Sequence, residues 1–158
     1  MAPSGDGLRL AAEGQQDLAV ISAALQDATF LVGDLKFNRR RRQLILEVNR
    51  FRWERAGRHG PFSRVRCAVV IEGVSTVKTR RLRQDTPDAV AAVLSLQFTP
   101  DAEPPGGVFS FILAGDGVVA VSVEAVDLLL VDLGEPWPTP NRPDHDRPHP
   151  SRRGEKDV

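Results

Sequence analysis

The sequence predicts a mainly β fold of the α+β type, an antiparallel barrel or sandwich of about seven or eight strands with one packed N-terminal helix. Three observations predict it. Apolar and polar residues alternate along several segments, as they do on strands with one wetter face. Short turns separate these segments, without room for the crossover connections that parallel strands need. One segment near the N-terminus has helical spacing instead.

The helix is predicted at residues 13–28. Leu18, Ile21, Leu25 and Ala28 follow one another at steps of three and four, which places them on one helix face. We expect the helix to end near Ala28, because the branched and aromatic residues at 29–32 favour an extended strand.

Strands are predicted wherever the period changes to two. The alternation is clear at Leu44, Leu46 and Val48, and again from Arg64 to Glu72. A tight hairpin is expected at Gly115–Gly117, where glycine permits a positive φ without steric cost. The predicted strands are residues 8–10, 29–32, 44–48, 64–72, 75–82, 91–98, 108–114, 118–125 and 128–131.

We expect one domain at residues 8–137, between a flexible N-terminus at 1–7 and a disordered tail at 138–158. Half of the 12 prolines lie at position 136 or later, in a segment too polar to offset its ordering entropy. No apolar run approaches the roughly 20 residues that span a bilayer, and no secretory signal is apparent. With Cys67 as the single cysteine, these features predict a cytoplasmic protein without a membrane partner.

A formal net charge of zero hides a strong segregation of charge. From Lys36 to Arg83 there are 15 basic residues against 3 acidic ones, a local charge of +12. From Gln84 to Glu135 there are 9 carboxylates and no Lys or Arg. Such segregation can attract an anionic partner, or it can be neutralised internally where basic and acidic strands lie side by side.

The arginines of this basic block are the candidate anion-binding residues. Guanidinium groups are rigid, bidentate donors for phosphate or carboxylate, and the interleaved Phe37, Phe51, Trp53 and Phe62 are candidate stacking platforms. In the alternative interpretation, the arginines cover an exposed sheet face and pair with acidic strands, while Phe51 and Trp53 belong to the core. The candidates are Arg39, Arg40, Arg41 and Arg42 in a hairpin tip, and Arg50, Arg52, Arg64 and Arg66 on the following strands.

Residues that could carry catalysis or bind a metal are few. Cys67 alternates with valines on an apolar face and is expected to behave as a small buried hydrophobe. His59 lies in a Gly-rich loop, and the tail residues Asp144, His145, Asp146 and His149 have metal-ligand chemistry without a rigid scaffold. The sequence therefore predicts no catalytic residue, no metal site and no cofactor.

The leading functional hypothesis is a non-catalytic binding or accessory domain whose Arg-rich face meets an anionic partner, either an acidic protein surface or nucleic acid. One alternative is a small barrel or enzyme in which Arg50, Arg52, Arg64 or Arg66 clamps a phosphate or carboxylate metabolite. Another is a structural oligomerisation module, such as a homodimer, in which basic strands of one subunit meet acidic strands of the next.

Six segments of the chain carry a family resemblance: Gln16–Ser22, Leu25–Ala28, Val32–Leu35, Asn49–Glu54, Asp132–Trp137 and Arg142–Asp146. In these segments the sequence resembles an uncharacterised bacterial family, known mainly from alphaproteobacteria, over roughly Leu8 to Asp146. The resemblance implies a domain of unknown function without established catalytic residues. It also implies a gene neighbourhood beside histidinol dehydrogenase.

Overall fold

The computed structural model describes residues 7–143, which form ten antiparallel strands and one helix. Strands account for 54% of these residues, so the mainly β prediction is confirmed. The helix α1 spans Leu18–Leu25 and follows a 3-10 turn at Gln15–Asp17. The strands are β1 (Arg9–Ala12), β2 (Thr29–Leu31), β3 (Leu35–Asn38), β4 (Gln43–Phe51), β5 (Phe62–Glu72), β6 (Val74–Arg80), β7 (Val90–Pro100), β8 (Gly107–Leu113), β9 (Val118–Val123) and β10 (Leu128–Thr139).

The strands form one continuous antiparallel sheet in the order β1-β10-β5-β4-β2-β7-β8-β9-β6, and β3 also pairs with β4. The short strand β2 connects the two halves, since it pairs with β4 on one side and with β7 on the other. The sheet is not closed into a barrel. The antiparallel arrangement and the packed helix are as predicted. The strands number ten instead of about seven or eight, and of the two predicted architectures the closed barrel is not the one formed.

A single buried core lies against the inner faces of both halves of the sheet. Leu44 and Leu46 from β4 and Phe109 and Phe111 from β8 are all fully buried in it. Along β4 every second residue is buried, which is the alternation that the sequence shows.

Helix α1 covers part of this core with the apolar face that its spacing predicts. Leu18, Ile21 and Leu25 are buried, and the Ser22 hydroxyl accepts a hydrogen bond from the backbone N–H of Leu96 in β7 (3.0 Å). The helix ends earlier than predicted, because Asp27 has a φ of 61°, which a helix cannot accommodate.

Strand β10 extends beyond the predicted domain boundary. A register shift separates Leu133 from Trp137, after which Pro138 lies opposite Ser63 in β5. Strand β1 covers β10 only as far as Val131, so the prolines fall where that edge of β10 has no partner strand, the position that proline tolerates. The predicted tail thus begins inside a strand, and its residues 144–158 lie outside the described residues.

Across residues 7–143, the structure contains no helix long and apolar enough to cross a membrane.

The close approach of β8 to β7 leaves no room for a side chain at Gly107. A Cβ at this position would lie 2.5 Å from the carbonyl oxygen of Thr99 and would also overlap the ring of Phe98. We expect Gly107→Ala to lower the free energy of unfolding by about 1–3 kcal/mol, the usual cost of overpacking, as measured by urea denaturation. Gly57→Ala is the control, because its Cβ would meet nothing closer than 3.8 Å. Equal stability of the two variants would contradict this packing.

Candidate functional site

Arg50 lies in the core, not on the surface. It is in phase with Leu44, Leu46 and Val48 on β4, so it points to the same inner face and is fully buried. A guanidinium removed from water is stable only if its charge and its N–H groups are matched by partners.

Two carboxylates and one carbonyl supply those partners. Asp132 binds the guanidinium bidentately, with Nε–Oδ1 and Nη2–Oδ2 distances of 2.7 Å. Glu54 binds its other side, with Nη1–Oε1 at 2.9 Å and Nη2–Oε2 at 2.7 Å. The carbonyl of Phe51 accepts a longer bond at 3.4 Å. These contacts use all five N–H donors of an arginine, so Arg50 has none left for a ligand.

Asp132 extends this cluster to the N-terminal strand. Its Oδ2 accepts a hydrogen bond from the backbone N–H of Leu8 (2.9 Å), and its own N–H donates to the Leu8 carbonyl (3.0 Å). Asp132 lies on β10 and Arg50 on β4, with β5 between them. The ion pair therefore ties three neighbouring strands and the start of the domain together. We call Arg50 and Asp132, which are buried, together with Glu54, whose side chain is 32% exposed, the buried ion cluster.

The protonation of the cluster follows from its contacts. Burial by itself lowers the pKa of Arg50, but the hydrogen bonds and charges of Asp132 and Glu54 outweigh it and raise that pKa above its ordinary value. Burial by itself raises the pKa of Glu54, but its hydrogen bonds and the charges of Arg50 and Arg52 together outweigh burial, so the net pKa is lowered. Both groups are therefore charged at neutral pH.

Cys67 packs beside this cluster as the small buried hydrophobe that the sequence predicts. It lies opposite Asp132 in the register of β5 and β10 and is fully buried. Burial, together with the charge of Asp132, raises the pKa of its thiol to about 12. Since the thiolate is the nucleophilic form of cysteine, this environment is unsuited to a catalytic thiol.

Arg52, which directly follows β4, and Arg64, which lies opposite Phe51 on β5, are also engaged. Nη1 of Arg52 donates to the Ser63 hydroxyl (3.2 Å). Nη1 of Arg64 donates to the Asn49 carbonyl (3.0 Å), and its guanidinium lies 5.8 Å from the centre of the Phe51 ring. Burial lowers the pKa of Arg64.

Arg66 faces the opposite side of β5 from Cys67 and contacts three acceptors. Its Nη2 lies 2.9 Å from Asp34 Oδ2 and its Nε lies 3.3 Å from Glu47 Oε1. Nη1 donates to the Asn49 side chain (3.3 Å). Burial by itself lowers the pKa of Arg66. The hydrogen bonds and charges of Asp34 and Glu47 outweigh burial, so the net pKa is raised. Arg66 thus serves an ion-pair network on the sheet surface.

The hairpin between β3 and β4 presents the remaining candidates to solvent. Arg39, Arg40 and Arg41 are exposed, and within residues 7–143 no carboxylate lies within 4 Å of them. We call these three residues the basic tip. Arg42 differs, because its Nη1 lies 2.7 Å from Glu124 Oε1. The Asn38 side chain accepts the N–H of Arg41 (3.1 Å) and so shapes the turn.

The aromatic residues lie away from the basic tip, with one exception. Phe51 is buried, and its ring centre lies 4.6 Å from that of Trp53 and 5.8 Å from that of Phe62. Trp53 donates its Nε1–H to the Gln26 carbonyl (2.9 Å). Only Phe37 lies near the tip, half-buried, with the Arg39 guanidinium 5.8 Å from its centre.

The histidines and acidic residues bring no further site together. His59 is exposed in the loop between β4 and β5. The part of the chain that the structure describes has no group of three or more His, Cys, Asp or Glu residues placed to hold a metal ion. The tail residues Asp144, His145, Asp146 and His149 lie outside that part.

The basic block and the acidic stretch neutralise each other in part. Three of the salt bridges within residues 7–143 join them, of which one is buried and two are exposed. The pairs are Arg42–Glu124, Arg50–Asp132 and Arg81–Asp116.

The predicted strand at 128–131 stops short of Asp132, but this residue lies within β10 and is 2% exposed. The signal that identifies it is its phase, since it follows Leu128 and Leu130 at steps of two. Arg50 likewise follows buried Val48 at a step of two on β4. Two opposite charges, each in phase with buried residues, predict a buried ion pair.

Loss of one carboxylate tests the structural role of the buried ion cluster. We expect Asp132→Asn to lower the free energy of unfolding by about 3 kcal/mol, because removing one partner of a buried pair leaves charge uncompensated. Urea denaturation measures it, with Asp116→Asn as the exposed control. The double variant Arg50→Met/Asp132→Leu should recover part of the loss, since an apolar pair leaves no buried charge. Equal effects of the two Asp→Asn changes would contradict the assigned role.

The raised pKa of Cys67 predicts a loss of stability in alkali. Below pH 9 the thiol is protonated in both states. Between pH 9 and 12 the unfolded chain loses this proton while the folded protein keeps it, so stability falls as the pH rises. We expect the unfolding free energy to fall more steeply above pH 9 in the wild type than in Cys67→Ala, by up to about 1.4 kcal/mol per pH unit. Parallel curves would show that the thiol titrates normally.

Comparison with known proteins agrees with the predicted resemblance. Residues 8–145 match a family model described as a protein of unknown function, DUF2948. No curated protein and no solved structure matches the chain. Bacterial origin, the gene neighbourhood and a cytoplasmic location stay predictions of the sequence. Since the match spans most of its length, the chain belongs to the DUF2948 family of proteins of unknown function.

Proposed function

We propose that this domain is a non-catalytic accessory module that binds an acidic protein segment through the basic tip. The observation that carries the proposal is the division of the arginines. Arg50, Arg64 and Arg66 donate hydrogen bonds to acceptors inside the domain. Arg39, Arg40 and Arg41 keep theirs in solvent, where guanidinium groups can bind carboxylates bidentately.

The shape of the surface beside the tip suits a protein partner. The tip borders a shallow depression of about 690 Å³, whose lining includes Lys36, Gln43 and Ile45. A polypeptide with acidic side chains can lie in such a depression and contact several cations at once. None of the three arginines pairs with a carboxylate within residues 7–143. Binding of an acidic segment therefore breaks no ion pair of theirs in that part of the chain.

Nucleic acid is the less favoured partner because the aromatic residues are misplaced for it. Binding of single strands combines cations with aromatic side chains on which bases stack. Phe51 and Trp53 lie at the end of β4 opposite to the tip, and the eight steps from Gln43 to Phe51 correspond to roughly 26 Å along a strand. Except for Phe37, the aromatics that interleave with arginines in sequence are therefore separated in space from the basic tip.

The positions of the other reactive groups favour binding over catalysis. Cys67 is buried with a pKa of about 12, and His59 is exposed in a loop of another part of the surface. The alternative is a barrel or enzyme in which arginines clamp a phosphate or carboxylate metabolite, and it needs free guanidinium donors. Arg50 has no free donor, and no observation favours this alternative over the accessory role.

Charge reversal at the tip tests this function. In fluorescence anisotropy at 50 mM salt, we expect a labelled ten-residue poly-L-glutamate probe to bind the wild type and to bind Arg39→Glu/Arg40→Glu/Arg41→Glu at least tenfold more weakly. Raising the salt to 200 mM should weaken wild-type binding, because the contacts are exposed to screening.

The matched control is Arg9→Glu/Arg58→Glu/Arg142→Glu, which changes the net charge equally at exposed arginines elsewhere. It should keep near wild-type affinity. The same loss in both variants would show that overall charge, and not the tip, attracts the probe. Tighter binding to a 16-base-pair DNA duplex than to the acidic probe would overturn the choice of a protein partner.

A further inference from the structure

The sheet has an opening between β3 and β6. Strand β3 pairs only with β4, and β6 pairs only with β9, so within residues 7–143 each has one edge without a partner strand. Strand β6 begins beside the β3–β4 hairpin, where the backbone N–H of Val74 donates to the carbonyl of Arg42 (2.8 Å). Away from that point the two edges border a cavity of about 310 Å³, lined by Leu35 and Phe37 from one side and Val77 and Thr79 from the other. We call this cavity the β3–β6 notch.

Along both strands that border the notch, half-buried side chains alternate with exposed ones. On β3, half-buried Leu35 and Phe37 alternate with exposed Lys36. On β6, half-buried Val77 is followed by exposed Lys78. Apolar side chains therefore line the notch together with Thr79 and Gln84, while cations stand on its outer side.

The two open edges offer unpaired backbone groups of the kind that pair with another chain. Natural proteins often block such edges, and when they do not, an extended peptide can be added as a strand. Main-chain hydrogen bonds then provide affinity, and pockets for alternate side chains provide specificity. The four residues of β3 correspond to roughly 13 Å of strand, so the notch suits a short segment.

The exposed cations on the outer side of the notch, which we call its rim, favour extended segments that carry acidic side chains. Lys36 on β3 and Lys78 and Arg80 on β6 are exposed, and no salt bridge involves them within the described residues. A strand between β3 and β6 that turns apolar side chains inward turns its alternate residues toward these cations. Acidic residues at those alternate positions complement the rim.

We propose that the β3–β6 notch binds an extended peptide in which apolar and acidic residues alternate, adding it to the sheet between β3 and β6. Its apolar side chains pack against Leu35, Phe37 and Val77, and its carboxylates lie beside Lys36 and Lys78. The inference goes beyond the proposed function, on which its choice of an acidic protein partner rests. It assigns the notch as a second site, in which backbone pairing provides affinity.

The test uses the full chain and the labelled, end-capped hexapeptide Glu-Val-Glu-Val-Glu-Val in fluorescence anisotropy. We expect Lys78→Glu/Arg80→Glu to weaken binding at least tenfold, because it reverses the rim on β6. Arg9→Glu/Arg58→Glu, with the same change in net charge at exposed sites elsewhere, should bind like the wild type. A peptide N-methylated at its valines should also bind at least tenfold more weakly, since it lacks backbone donors.

The outcomes separate the two proposals. If N-methylation has no effect, binding does not use strand pairing and the notch proposal is overturned. If reversal of the basic tip abolishes binding while Lys78→Glu/Arg80→Glu does not, acidic segments bind at the tip and only the notch proposal fails. If neither the hexapeptide nor poly-L-glutamate binds the wild type, both proposals fail.

Discussion

The rest of the structure depends on the buried guanidinium of Arg50. A charge in the core must be matched, and both oxygens of Asp132 and both oxygens of Glu54 match it. A shift of β10 by one residue against β5 would turn Asp132 outward, because it moves every side chain to the other face. A shift by two residues would keep Asp132 inward but move it roughly 7 Å along the strand, away from Arg50. The ion pair therefore sets strand register, and through Leu8 it also fixes where the N-terminal strand joins the sheet. An apolar core would provide comparable stability but less discrimination between registers.

The same constraint decides which arginines are available for binding. A run of basic residues in the sequence gives no information about which face each one occupies. The fold separates them, since Arg50 is enclosed, Arg66 pairs with Asp34 and Glu47, and the basic tip stays in solvent. The β3–β4 hairpin and the outer side of β6 therefore carry exposed cations that have no carboxylate partner within residues 7–143. These cations are the physical basis of both proposals.

Local periodicity was sufficient to predict most of the fold. The alternation at Leu44, Leu46 and Val48 identified β4, and the spacing of Leu18, Ile21 and Leu25 identified α1. Strand β3 was missed because its four residues adjoin a run of arginines that indicates a turn. The end of β10 was missed because its prolines indicate a loop, and only the absence of β1 beyond Val131 makes them acceptable in a strand. Sheet closure and ion pairing depend on contacts between distant segments, as between Arg50 and Asp132, which local patterns do not determine.

The most direct test of this division of charge is an NMR titration of the ¹⁵N-labelled full chain with short poly-L-glutamate. The account predicts that the largest amide shifts occur at residues 36–41 and 75–80. It also predicts that the Nε–H signal of Arg50 is protected from solvent exchange and does not move. Rapid exchange of that signal, or largest shifts at residues 50–66, would contradict the account and place the anion-binding surface on the arginines of β4 and β5.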